Sequence, residues 1–102
     1  MQYLVRRVQA EPRLEMLAPA PLNIACFHYT ESSLDDAASN ALNQELLLRL
    51  QERGIAVPSS TTIGGRFAIR VAHVNHRTRW SDIDLVVDSV VAIGDELMVE
   101  RR

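Results

Sequence analysis

Arg70 is the residue whose setting most invites chemistry. It stands in GGRFAIRVAHVNHRT, residues 64 to 78. In an extended segment, Phe67, Ile69, Val71 and His73 fall on one face. Ala68, Arg70, Ala72 and Val74 fall on the other, because strand side chains alternate. Arg70 therefore has two alanines and a valine as same-face neighbours. A solvent-facing strand surface carries several polar residues rather than one. A guanidinium among small side chains offers a fork of donors suited to two-point contact with a carboxylate. The competing account is an arginine that lays its stem along the strand and meets a surface carboxylate, a contact worth little.

Cys26 and His28 share a strand face in LNIACFHY, and His73 and His76 follow in the later segment. These are zinc-ligand types, but C-x-H on a strand lacks finger spacing. A packed cysteine and ordinary strand histidines account for them, so no metal site is expected. A Cys26–His28 nucleophile and base fails on distance. Side chains at i and i+2 on a strand sit about 7 Å apart, too far for the hydrogen bond such a pair needs. The acidic run from Ser81 to Asp84 reads as helix capping, and Trp80 beside it as a packing staple.

Composition narrows the field. A chain of 102 residues with 47% apolar and 24% charged content is ordinary globular stock, one domain's worth. No apolar run approaches the ~18 residues of a membrane span. Charges scattered through MQYLVRRVQAEPRLEM argue against a signal peptide. A single cysteine excludes an internal disulfide framework and fits a reducing, cytoplasmic setting. A net charge of −2 argues against non-specific nucleic-acid binding. All 11 basic residues are arginine. The chain therefore has no lysine for a Schiff base or a phosphate-binding loop.

The elements that must position Arg70 follow from spacing. Residues 1 to 10 read as a short helix ending before Pro12, RLEML as a short strand, and APAP at 18 to 21 as a stiff linker. LNIACFHY reads as an interior strand, apolar on both faces. Ser33 with Asp36 suggests a capping box for a helix whose stripe is Leu42, Leu46, Leu47 and Leu50. Arg49 and Arg53 suit its C-terminal end, and Gly54 its left-handed cap. IAVPSSTTI is a strand that Pro58 assigns to an edge or a bulge, and Gly64–Gly65 make a tight hairpin into residues 66 to 74. The last helix starts at a Thr78 or Ser81 cap, carries Ile83, Val86, Val87 and Val90, and closes at Gly94. DELMVERR then forms a charged tail.

Helix, strand, helix, hairpin, helix is an α+β order: a small, mostly antiparallel sheet with helices on one face. No element is left to cover the other face, expected to carry Ala25, Phe27, Ala68 and Ala72 beside Arg70. Such a face predicts self-association, most simply as a symmetric dimer.

LNIACFHY, the Leu-rich helix ending in ERG, and TIGGRFAIRVAHVNHRTRWSDIDLVVDSVVAIG together resemble the C-terminal small domain of the group II pyridoxal-phosphate-dependent amino-acid decarboxylases. That group acts on glutamate, tyrosine, aromatic amino acids, histidine and diaminobutyrate. The resemblance covers nearly the whole chain and is most specific from Gly65 to Ile93. It implies one small domain over residues 1–102, with the family's large domain absent. That large domain holds the cofactor lysine, the histidine stacked on the pyridine ring and the aspartate paired with the ring nitrogen. It implies no catalytic or cofactor-binding residue in this chain, no cofactor bound by it, and no activity alone. It implies a partner that carries the large domain and binds pyridoxal phosphate. Arg70, in FAIRVA, matches the arginine that reaches the active site from the small domain and holds the substrate's α-carboxylate. Two other readings share the element order: a free-standing ferredoxin-like regulatory or small-molecule-binding module, and the small domain of another enzyme of the same cofactor superfamily, such as an aminotransferase.

Overall fold

Leucine spacing at 42, 46, 47 and 50 makes one helical stripe, and the stripe is buried. The computed structural model describes residues 2–17, 24–54, 59–72 and 80–101. In chain order these form α1 (Gln2–Ala10), β1 (Leu14–Met16), β2 (Ile24–Tyr29), α2 (Asp36–Glu52), β3 (Ser59–Ile63), β4 (Arg66–Ala72) and α3 (Trp80–Arg101). The strands make one antiparallel sheet in the order β1-β2-β4-β3. The α+β expectation holds. The two central strands run antiparallel, unlike the parallel central pair of a ferredoxin-like split βαβ.

The three helices cover one face. Leu4 and Val8 of α1, Leu46 and Leu50 of α2, and Val87, Val90 and Ile93 of α3 close over Ala25, Phe27, Tyr29 and Ile69. Burial of this set is the main favourable term in the fold. It also stabilises α3, whose β-branched residues are poor helix formers alone.

Register corrects the expected faces. Cys26 pairs with Arg70, and Phe27 pairs with Ile69. Directly opposed residues share a face. Ala25 and Phe27 therefore join Ile69 and Val71 under the helices, fully or largely buried. The opposite face, over which none of the described helices packs its apolar stripe, carries Cys26 and Arg70, both half-buried, and Ala68 and His28, both buried.

Several ends also differ from expectation. The N-cap of α2 is Asp35, which accepts from Ala38 N–H at 2.7 Å, rather than Ser33. Ser33 instead donates its N–H and hydroxyl to Glu31. The helix ends as expected, with Gly54 at φ +65°. Gly94 does not close α3, which runs on to Arg101 and buries Leu97 and Met98. A Cβ at residue 94 would lie 2.1 Å from Cδ2 of Tyr29, so glycine here admits a neighbouring ring rather than ending a helix. Pro58, His73, His76 and Thr78 lie outside the described residues, as do the side chains of Trp80, Ser81 and Ala72.

Candidate functional site

The uncovered face is built by alternation on three strands. β4 presents Arg66, Ala68 and Arg70, β2 presents Cys26 and His28, and β1 presents Glu15. β3 adds Ser59, opposite Arg70.

Arg70 sits half-buried between Cys26 on one side and Ser59 on the other. Its Nη1 donates to Ser59 Oγ at 3.5 Å, a long and weak contact. Among the described residues no carboxylate pairs with it. Its small neighbour Ala68, two residues back on the same face, is fully buried.

The other end of the face is occupied by its own pairs. Glu15 lies opposite His28, and Glu15 Oε1 is 2.9 Å from His28 Nε2. Arg66 reaches across β2 to the same oxygen at 3.4 Å. His28 is 4% exposed, and its Nδ1 has no partner among the described residues. A cleft of about 230 Å³ opens there, lined among others by Glu15, His28, Glu31, Asp36, Asn40 and Arg66.

Two asparagines of α2 stand where β2 and β4 part, and Asn40 lines the cleft. Continuing the β2–β4 register would set Tyr29 against Phe67. Instead Asn43 Oδ1 accepts Tyr29 N–H at 2.8 Å, and its Nδ2 donates to Tyr29 C=O at 3.0 Å. Asn40 Oδ1 accepts Phe67 N–H at 2.8 Å, and its Nδ2 donates to Gly65 C=O at 3.0 Å. The strands part, and side-chain amides take over the backbone bonds that the ladder gives up. Asn40 fixes the hairpin that carries Arg70, and Asn43 fixes the end of β2. Sequence reading missed both, because an Asn-x-x-Asn pair on a helix has many explanations. Its one available signal is that Asn43 falls inside the leucine stripe.

Beneath the sheet, Tyr29 OH donates to Asp95 at 2.6 Å and receives Arg13 Nη1 at 2.9 Å. Burial, followed by the bond to Asp95, pushes the phenol up to about 12. About three turns earlier on the same side of α3, Arg7 and the hydroxyl of Tyr3 meet Asp84, holding that carboxyl below its usual range, the Tyr3 bond first. The first cluster ties α3 to the sheet, the second ties α1 to α3, and both lie on the helical side. Among the described residues, no group of three or more His, Cys, Asp or Glu side chains is placed to hold a metal ion.

No family model matches the chain. It is 28% identical over 86 residues to the aromatic-L-amino-acid decarboxylase of Bacillus atrophaeus, covering 83% of this chain and 18% of that protein. Its fold superposes on Oryza sativa TDC, solved with pyridoxal phosphate and tryptamine, at a TM-score of 0.85 and 22% identity, covering 95% of this chain and 21% of the other. The resemblance is to a fragment of a group II pyridoxal-phosphate decarboxylase. A Vibrio parahaemolyticus structure fits the same pattern. It is the glutamate decarboxylase domain of diaminobutyrate-pyruvate transaminase and L-2,4-diaminobutyrate decarboxylase, with TM-score 0.80 and 25% identity, covering 91% of this chain and 19% of the other. This chain thus spans about a fifth of the length of the decarboxylases that it matches.

No side chain present can hold pyridoxal phosphate as a Schiff base. Its covalent attachment needs a lysine, and the sequence contains none. The open face offers Arg70 as an anion-binding group and nothing to hold the cofactor covalently.

Proposed function

We propose that this chain is the small domain of a pyridoxal-phosphate-dependent amino-acid decarboxylase, inactive alone, whose open sheet face closes on a large domain that carries the cofactor. In the closed assembly Arg70 holds the α-carboxylate of the amino-acid substrate. The observation that carries this reading is the placement of Arg70: half-buried, on the uncovered face, beside small residues and without a carboxylate partner among the described residues. Two N–H donors of one guanidinium fit two carboxylate oxygens, and a charge-assisted hydrogen bond is worth roughly 1.5–3 kcal/mol where water is excluded. Arg66 is less suited to that task, since Glu15 already engages it. Ser59 steers the guanidinium from the side. The cofactor, held by the large domain, supplies the electron sink. This chain supplies a fixed cation and part of the wall that excludes water.

The test is reassembly. The chain is mixed with a large-domain polypeptide of a matching decarboxylase, and carbon dioxide release from amino acids is measured. Activity in the mixture and in neither part alone supports the reading. A stable complex that moves an amino group instead of releasing carbon dioxide points to the aminotransferase class. Absence of any complex contradicts it.

A further inference from the structure

The two outer strands of the sheet differ in how they meet solvent. β1 is three residues long and bears Glu15 at its centre. Within its described residues, Ser59–Ile63, β3 has no charge and no proline, and its register with β4 runs residue for residue without a bulge.

The turn decides which backbone groups face outward. Gly64 and Gly65 have φ of 58° and 80°, both positive as a type I′ hairpin requires. Ile63 and Arg66 then form the closing hydrogen-bonded pair. Bonding alternates from there. Ile63, Thr61 and Ser59 turn their N–H and C=O groups toward Arg66, Ala68 and Arg70. Ser60 and Thr62 turn theirs away from the sheet, and both residues are exposed.

We propose that the β3 edge is a self-association surface, on which a second copy of this chain pairs its own β3 antiparallel about a two-fold axis through Thr61. That register sets Ser60 opposite Thr62 of the other copy, and the reverse, so the outward N–H and C=O groups of both chains match. Thr61 meets its own counterpart in a non-hydrogen-bonded pair, the closer kind, and Thr–Thr pairs there are favourable. No charge faces a like charge. Arg70 and the second copy's Arg66 stand three strand spacings apart, about 14 Å, beyond the ~8 Å screening length at physiological salt. Five residues per copy bury far less than the ~1,200 Å² of a stable complex, so the dimer is weak and concentration-dependent. The pairing does not depend on the decarboxylase reading. It replaces the apolar sheet face expected from sequence with a polar backbone edge.

Sedimentation and backbone amide exchange across a wide concentration range test it. The expected result is a dimer that grows with concentration while the Ser60 and Thr62 amides slow at least several-fold. The Thr61 and Ile63 amides, already in the ladder, stay unchanged. Thr62→Pro removes an outward N–H that the hairpin does not use, and Ser60→Lys sets like charges near the axis. Each should weaken the dimer at least ten-fold with the circular dichroism of the fold intact. If Thr62→Pro fails to fold, Ser60→Lys decides alone. A monomer at every concentration overturns the proposal. So does a dimer that survives Ser60→Lys, or one that is lost instead in Cys26→Glu on the open face.

Discussion

Tyr29 and Gly94 touch with no room for a methyl group between them: a Cβ on residue 94 would lie 2.1, 2.3 and 2.7 Å from three atoms of the tyrosine ring. The ring has nowhere to go. It is fully buried, and its hydroxyl is held by Asp95 and Arg13. Gly94→Ala should therefore destabilise the fold by a net of about 1–2 kcal/mol. Overpacking costs roughly 1–3 kcal/mol in a core that cannot yield, and it must outweigh the roughly 1 kcal/mol that alanine gains over glycine inside a helix. Chemical denaturation of the two proteins measures the difference. An alanine variant as stable as the parent would show that the ring moves freely.

Asn43 should be as costly to lose. It is fully buried and satisfies both the N–H and the C=O of Tyr29. Asn43→Ala leaves two buried backbone groups without partners, at roughly 1–3 kcal/mol each. We predict a loss of about 2–5 kcal/mol, read from urea unfolding. A loss below 1 kcal/mol would mean that water replaces the amide.

Alkali should unfold the protein through Tyr29. Its phenol is raised from 10.0 to about 12, by burial first. A group whose folded value is raised contributes stability that is whole below its unfolded value and is lost as pH rises toward the folded one. Stability should fall between pH 10 and about 12. Tyr3, the other tyrosine, is also raised, by its bond to Asp84 first. The tyrosinate absorbance of the folded protein should therefore rise later than that of the urea-unfolded chain. Coincident titration curves would contradict this.

Pyridoxal phosphate added to the isolated chain and then dialysed should leave no stoichiometric visible absorption band, since no lysine is present to form a Schiff base. The N-terminal amine can give a weak adduct, which acetylation removes. A band that survives both dialysis and acetylation would contradict the assignment of cofactor binding to a partner.

The elements were legible because their signals are local. Leucine spacing marked α2, the glycine pair marked the hairpin, and alternation put Arg70 opposite Phe67, Ile69 and Val71. What failed depends on partners distant in sequence. Gly94 looks like a helix stop until the ring of Tyr29 is placed against it. Alternation alone leaves Ala25 and Phe27 on the open face, because the parity of the β2–β4 register cannot be read from either strand alone. Asn40 and Asn43 became legible only once the strands were seen to part beside them. Of the candidate site, Arg70 was named from its small neighbours, whereas the Glu15–His28–Arg66 row needed three strands brought side by side.

The central claim is that Arg70 meets a carboxylate from the far side of the open face. The most direct measurement is the steady-state kinetics of the reassembled enzyme carrying Arg70→Lys, which keeps the charge and loses the fork. The account predicts that kcat/KM falls about ten-fold or more, on the order of 1–3 kcal/mol, while the complex assembles as before. A lysine variant that assembles normally and turns over substrate with unchanged kcat and KM would contradict it.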